Sequence, residues 1–231
     1  IAILRWIGHL SGLGSLEATA ERVQQTARDA LRLRCDTPFL GGRALDTPEG
    51  QIPPSAHMVA APRSGYVQHV DSAKLSGLAG KNGGVFYLVA PPGAWVAAGE
   101  ALGFAAVASF GEALERDMAA HVTIGDVRTF AQDAEFGVAV LAEVAVRALS
   151  PGINDPRTAE DVIARLSRLL GEMTGEDRAA EPRAPAIFVP PLEMEALVRA
   201  AFDAIGRDGA AMVEVAGTLQ AALARLAGAR D

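Results

Sequence analysis

The spacing of apolar side chains predicts helices along most of this chain and short strands in one stretch. Residues 156–173 give the plainest helical pattern, because one face is apolar and the opposite face is charged. The apolar face carries Val162, Ile163, Leu166, Leu169, Leu170 and Met173, and the charged face carries Arg157, Glu160, Asp161, Arg165, Arg168 and Glu172. The same period predicts helices near residues 15–34, 111–121, 192–205 and 208–226. Between 57 and 109, short apolar runs alternate with glycine and proline turns, which predicts strands.

A further helix, from about residue 130 to 149, differs from these because it is apolar on all sides. Only Glu143 and Arg147 interrupt the run after Phe136. A helix that is apolar all round is buried, so this central helix is expected in the interior. Its two charged residues stand four apart in the order that favours an ion pair, which we expect at an edge of the helix.

The chain turns sharply after this central helix. Pro151 has no amide proton to donate and Gly152 tolerates left-handed backbone angles, so the helix must end there. Asn154 or Asp155 then caps the next helix, with Pro156 at its first position. This turn chemistry predicts a helix–turn–helix corner. A second interpretation is that Ser150, Asn154 and Asp155, with a helix N-terminus, form a small polar site deep in the fold.

The β-rich stretch has the turn pattern of a small barrel. The positions that carry the pattern are Ala61, Pro62, Ser64, Gly65, Tyr66, Val67, Pro92, Gly93, Val96, Gly99, Glu100 and Leu102. They resemble the barrel-sandwich modules of lipoyl and biotinyl carriers and of membrane-fusion adaptor proteins. A carrier displays a lysine at a hairpin tip, whereas Lys74 lies in a predicted helix and Lys81 in a glycine loop. A covalent cofactor has no attachment point, so no cofactor is predicted. An adaptor would need long coiled-coil heptads, and the sequence contains none.

Together these patterns predict an α+β fold. A small β-barrel or barrel-sandwich-like module is inserted between an N-terminal helix and a C-terminal helical bundle. The predicted domains are a membrane-proximal helix and linker at 1–56, the β-rich module at 57–110, and the helical domain at 111–231. The first boundary rests on the glycines and prolines that break every pattern between residues 36 and 55.

Composition excludes several classes of function. The chain has 231 residues and a net charge of -7, which argues against a nucleic-acid partner. Its single cysteine, Cys35, permits no internal disulfide and fits a reducing compartment. The four histidines are scattered, so no metal site is predicted. No apolar run reaches the roughly 18 residues of a membrane span, and neither a nucleophile elbow nor a phosphate loop occurs.

The candidate site residues fall into two groups, one at each end of the central helix. Asp126, Arg128, Thr129 and Asp133 precede the helix, and Arg147, Ser150, Asn154 and Asp155 follow it. A helix of about 16 residues is about 24 Å long, so one straight helix keeps the groups apart. A joint ligand site would require the β-module or a symmetry mate to bridge them. The alternative is two separate capping networks, because Asp and Thr at helix starts are most often caps.

The ordered motifs also resemble a bacterial family. They comprise the runs at 64–68, 92–99, 125–129, 132–137 and 147–159, of which the last is the most specific. The resemblance is to predicted membrane proteins called domain of unknown function 2254. Members carry several transmembrane helices ahead of this region, which implies that the present chain is the extramembrane C-terminal part. It also implies that the apolar residues 1–7 are the tail of the last span rather than a short amphipathic helix. No activity is established for the family, so the resemblance supplies no catalytic residues.

Two classes of function follow from these observations. The first is a ligand-binding, regulatory or assembly domain of a multi-pass protein of the inner membrane. It is anchored by transmembrane helices outside this chain, lies on the cytoplasmic side and forms a homo-oligomer. The second is an enzyme in which Arg128 holds a small anionic substrate and Asp126 or Asp133 acts as base. The first is the predicted function, with no catalytic residue assigned.

Overall fold

The computed structural model describes residues 16–173, 176 and 179–228, with backbone alone at 16–19. These residues form eight α-helices, a short 3-10 turn and two β-sheets. The helices are α1 (Leu16–Asp36), α2 (Pro48–Gln51), α3 (Ser72–Lys81), α4 (Glu112–Ala120), α5 (Ala134–Ala148), α6 (Pro156–Gly171), α7 (Met194–Gly209) and α8 (Val213–Gly228). The strands are β1 (Arg43–Ala44), β2 (His57–Ala60), β3 (Gly65–Val70), β4 (Val85–Leu88), β5 (Trp95–Val96), β6 (Ala101–Ala106), β7 (Val122–Gly125) and β8 (Ile187–Val189).

Contacts divide the chain into two compact units. The helical unit comprises residues 1–29, 135–173 and 193–231, and the sheet unit comprises 30–134 and 174–192. The predicted α+β class is confirmed. The division into domains at residues 56 and 110 stays a prediction. The expected membrane tail at 1–7 lies outside the described residues.

The sheet unit contains two open sheets rather than one closed barrel among its described residues. The larger sheet has the strand order β1-β8-β4-β6-β2, in which β8 runs parallel to both its neighbours and the remaining pairs are antiparallel. The smaller sheet, β5-β3-β7, is wholly antiparallel. The barrel-sandwich detail is therefore not confirmed. The turns in the β-rich stretch do form, but they join strands of two separate sheets.

The core of the sheet unit follows from side-chain alternation along the strands. Phe86 and Leu88 of β4 point into the core, together with Ile187 and Val189 of β8. Leu75 and Ala79 of α3 and Met118 of α4 join the same cluster. Because side chains alternate between the two faces of a strand, the residues between these core positions lie on the other face of the larger sheet.

The helical unit confirms the interpretation of the central helix. Every residue of α5 is buried or half-buried except Glu143 and Arg147, which are exposed. These two side chains share no ion pair in the described part of the chain, so the pair expected from their spacing does not form. Helix α6 buries its apolar face, as its pattern predicts, and packs against α7 and α8.

A close helix contact in this unit provides a test of the packing. A Cβ atom added at Gly137 of α5 would lie 2.8 Å from Ala27 Cα, whereas one added at Gly217 of α8 would meet nothing within 4 Å. We expect Gly217→Ala to raise the free energy of unfolding by about 0.5–1 kcal/mol, because alanine is the better helix former. Gly137→Ala should instead lower it by about 1–2 kcal/mol through overpacking. Urea denaturation of both variants measures the difference, and equal effects would contradict this contact.

Candidate functional site

The first candidate group lies in the sheet unit, on the loop between β7 and α5. Side chains fasten this loop to the backbone of its neighbours. Gln68 Nε2 of β3 donates to Val127 O at 2.7 Å. Gln132 accepts from Val70 N–H at 2.8 Å and donates to Val70 O at 3.2 Å, as a neighbouring strand would. The loop is therefore held by the free hydrogen-bonding groups of β3.

Arg128 and Asp133 form the firmest interaction of this group. Arg128 Nε and Nη2 donate to the two carboxylate oxygens of Asp133 at 2.6 and 2.8 Å. The Asp133 side chain is only 3% exposed, while that of Arg128 is 24% exposed. The carboxylate packs on Gly93, where an added Cβ would lie 2.6 Å from Asp133 Oδ2. This bidentate geometry neutralises the carboxylate that burial would otherwise penalise.

Asp126 and Thr129 do not join that pair. The Asp126 side chain is exposed and accepts a hydrogen bond from Arg63 Nη2. Thr129 Oγ1 donates to Gln68 O at the long distance of 3.5 Å. Of the four candidate residues in this loop, Arg128 and Asp133 bind each other, whereas Asp126 and Thr129 have other partners. Asp126 contacts Arg63 in the turn between β2 and β3, and Thr129 contacts Gln68 within β3.

The second candidate group belongs to the helical unit and forms the predicted helix–turn–helix corner. Ser150 Oγ donates to Arg147 O at 2.7 Å, and Ser150 O accepts from the Asn154 N–H at 2.8 Å. Asn154 adopts a left-handed φ of 49°, which asparagine tolerates better than most residues. Asp155 caps α6 by accepting from the Thr158 N–H at 3.2 Å and the Thr158 hydroxyl at 2.6 Å. Asn154 is exposed, and Ser150 and Asp155 are half-buried, so these three residues line a surface turn.

The cap predicts a dependence of stability on pH. Hydrogen bonds from the Thr158 hydroxyl and amide lower the pKa of Asp155 below its ordinary value. A carboxyl whose pKa is lower when folded stabilises the fold above its unfolded pKa, and this contribution is lost as the pH falls through the folded pKa. We expect Asp155→Asn to unfold at a lower temperature than wild type at neutral pH, with the difference shrinking as the pH falls below the ordinary pKa of an aspartate. Thermal unfolding across this range, followed by circular dichroism, tests it, and a constant difference would contradict it.

A buried ion pair in the sheet unit was not expected from the sequence. Arg34 Nη2 at the end of α1 lies 2.9 Å from Glu176 Oε1, and both side chains are 5% exposed. The same carboxylate accepts from the Phe39 and Leu192 N–H groups, at 2.7 Å each. Burial lowers the pKa of the Arg34 guanidinium, and the Glu176 carboxylate offsets part of this effect. One glutamate therefore ties three parts of the chain together.

Arg34 is buried, whereas Arg32 near the same end of α1 is exposed. The position of Arg34 in the helical period indicates that it is buried. Arg34 follows the buried residues Ala27 and Leu31 at spacings of seven and three, so it lies on their face. Glu176 gave no such signal, because it lies in a polar, proline-containing segment that predicts a loop.

A family model described as "Predicted membrane protein", domain of unknown function 2254, matches residues 1–225. The chain belongs to this family. Among the curated proteins it is similar to uncharacterised proteins of Mycobacterium tuberculosis and Mycobacterium bovis, each 32% identical over 196 residues. The match covers 78% of this chain and 37% of each relative, so the chain spans little more than a third of their length. No solved structure matches it.

Two further observations bear on this member of the family. No helix in the described ranges is both long enough and apolar enough to cross a membrane. Within the same ranges, no three histidine, cysteine, aspartate or glutamate side chains are grouped to hold a metal ion. The described polar networks are instead built from arginine–carboxylate pairs and from bonds between side chains and backbone.

Proposed function

We propose that this chain is the extramembrane domain of a multi-pass membrane protein and acts there as a ligand-binding, regulatory or assembly module. The family description indicates a membrane protein, and the surface of the helical unit supports a location of this domain in water. Helix α6 exposes Arg157, Asp161 and Arg168 opposite its buried apolar face. A charged face of this kind is stable against water and costly against lipid. This amphipathic surface is the observation on which the proposal rests.

The arrangement of the candidate residues favours a non-catalytic role. An arginine that holds an anionic substrate and a carboxylate that acts as base must both reach the substrate. Arg128 and Asp133 are instead directed at each other, and the carboxylate is buried against Gly93. Asp126 is accessible, but it contacts Arg63 on the surface. We therefore favour a role for Arg128 and Asp133 in holding the loop over an enzyme that uses them.

The location is tested with the full-length gene product. We expect it to sediment with the inner membrane and to resist extraction by alkaline carbonate. Sidedness is measured with a cysteine at position 213, because Val213 is 85% exposed, in a Cys35→Ser background. Protection of Val213→Cys from a membrane-impermeant maleimide in intact cells, with labelling after lysis, supports the cytoplasmic side. Recovery of the protein in the soluble fraction would overturn the membrane assignment.

Arg128→Ala separates the structural role from the enzymatic alternative. We expect it to lower the free energy of unfolding by about 2 kcal/mol, since it leaves a buried carboxylate without its cation at a site that water partly reaches. Arg63→Ala is the control, because its exposed pair with Asp126 should contribute less than about 1 kcal/mol. Urea denaturation measures both variants. Unchanged stability of Arg128→Ala, with loss of binding to a small anion in a thermal-shift screen, would support the enzyme instead.

We also propose that the domain forms a homo-oligomer and has no nucleic-acid partner. The exposed apolar residue Leu223 of α8 supports self-association, and the net charge of -7 opposes binding to phosphate backbones. Sedimentation velocity of the chain measures the assembly directly. We expect a dimer or larger species that Leu223→Glu dissociates, and a wild-type monomer at all concentrations would contradict the proposal.

A further inference from the structure

An aromatic row crosses the outer face of the larger sheet. The strand register aligns five residues, one on each strand: Arg43, Phe188, Tyr87, Phe104 and Met58. Their neighbours Phe86, Ile187, Ala105 and Val59 point into the core, so alternation directs the row to the opposite face. With strands about 4.8 Å apart, the row extends about 19 Å, which is on the scale of a long alkyl chain.

Exposure is lowest at the centre of the row, and the five residues are called the trough below. Arg43 and Met58, at the two ends, are exposed, with Met58 at 46%. Phe188 and Phe104 are half-buried, and Tyr87 in the middle is 8% exposed. The centre of the row is therefore its least accessible part, and the two ends are open. A flat bilayer surface cannot reach such a centre, whereas a single flexible chain can lie along it.

Ring orientation restricts what the trough can hold. The rings of Tyr87 and Phe188 are stacked at 5.0 Å with an angle of 20° between their planes. The Arg43 guanidinium carbon lies over the Phe188 ring at 5.9 Å from its centroid. Both faces of the Phe188 ring are thus covered, and a planar base finds no free ring face there on which to stack. The ring edges that remain offer a hydrocarbon surface, which suits an aliphatic chain.

The two ends of the trough differ in chemistry, which defines the orientation of a bound molecule. Arg43 has no carboxylate partner within the described ranges. Its guanidinium is suited to a bidentate contact with a carboxylate. Met58 at the other end is apolar and flexible, and such side chains adapt to irregular apolar surfaces. The charge at one end and the methionine at the other fit a molecule with an anionic head and an apolar tail.

We propose that this trough binds one long-chain fatty acid, with its carboxylate on Arg43 and its alkyl chain over the ring edges toward Met58. The site shares no residue with the loop at 126–133 or with the corner at 147–155. The proposal does not depend on which side of the membrane the domain occupies. It names a ligand class that the family description does not supply.

The test is calorimetric titration of the 231-residue chain with laurate below its critical micelle concentration. We expect saturable binding of one molecule per chain, with affinity rising up to about fourfold for each methylene added from octanoate to laurate. Arg43→Gln should weaken laurate binding about fivefold to tenfold, and Arg43→Lys should restore most of it. Met58→Gln should reduce the gain per methylene. Arg63→Gln is the matched control, an exposed arginine of the same unit, and should bind laurate as wild type does.

Each remaining outcome contradicts the proposal. Absence of saturable laurate binding overturns it, and so does binding that neither Arg43→Gln nor Met58→Gln changes. Equal affinity for laurate and for dodecyltrimethylammonium would show that Arg43 does not bind the carboxylate. Three other results, each without laurate binding, would assign the trough to a different occupant. Binding of adenosine monophosphate that depends on Arg43 would indicate a nucleotide, and sedimentation with anionic vesicles would indicate a bilayer. Self-association of the chain would indicate a second copy. Circular dichroism of every variant checks that the fold is retained.

Discussion

Glu176→Ala is expected to lower the free energy of unfolding of the sheet unit by about 3–5 kcal/mol, because it leaves the Arg34 charge buried without its partner. Arg34 Nε already lacks a hydrogen-bond partner in the described part of the chain, so few groups remain to stabilise the cation. The substitution also removes the acceptor for the Phe39 and Leu192 N–H groups. A loss of this size is a large fraction of the stability of an ordinary domain.

The backbone near Glu176 increases the expected effect. Phe39, Leu40 and Gly41 have φ angles of 52°, 54° and 81°, which form a left-handed turn. Such a conformation costs a non-glycine residue about 1–2 kcal/mol. The bond from the Phe39 N–H to Glu176 helps to offset that cost, so its loss should also loosen the turn. Faster hydrogen exchange at residues 39–42 would accompany the loss of stability.

The measurement is urea denaturation followed by tryptophan fluorescence, because Trp95 lies in the same unit. Two controls separate charge from packing. Glu176→Gln keeps an acceptor oxygen but loses the negative charge, so it should cost less than Glu176→Ala. The double variant Arg34→Met with Glu176→Leu removes both charges and should recover much of the loss. A loss below about 1 kcal/mol for Glu176→Ala would show that water reaches the pair.

Gly93→Ala is the second large effect, with an expected loss of about 2–5 kcal/mol from backbone strain and overpacking together. Gly93 has a φ of 97°, and its added Cβ would lie 2.6–2.9 Å from the three carboxyl atoms of Asp133. Because Asp133 is held by two bonds from Arg128, the carboxylate cannot move without breaking that pair. The variant should therefore also release the loop at 126–133.

Gly99→Ala is the matched control for this experiment. Gly99 has a similar φ of 86°, but a Cβ added there would meet nothing within 4 Å. The difference between the two variants isolates the clash with Asp133 from the backbone strain that both share. Thermal unfolding and hydrogen exchange of residues 126–133 measure it. Equal losses in the two variants would mean that Asp133 does not pack against Gly93.

The candidate site was predictable to the extent that its chemistry is local. Asp155 and Thr158 are three residues apart, and the cap they form follows from the sequence before any packing is known. Arg128 and Asp133 are near in sequence, so their membership of one group was predictable. Their direct pairing was not, because only the packing of Asp133 on Gly93 turns the carboxylate toward the guanidinium. Arg34 and Glu176 lie far apart along the chain, and no local pattern joins them.

The sequence by itself determined where the long helices form and which of their faces are buried, although it did not indicate the short helix α2. Helix α5 is apolar all round, and α6 has a cap, a proline in its first turn and one apolar face, all of which act within a few residues. Only the tertiary structure decided the sheets. Strand β1 has two residues, and its parallel pairing with β8 joins distant parts of the chain. The physical reason is the range of the interactions: helix periods and caps act between neighbours, whereas strand pairing, buried ion pairs and the aromatic row depend on segments that meet only after folding.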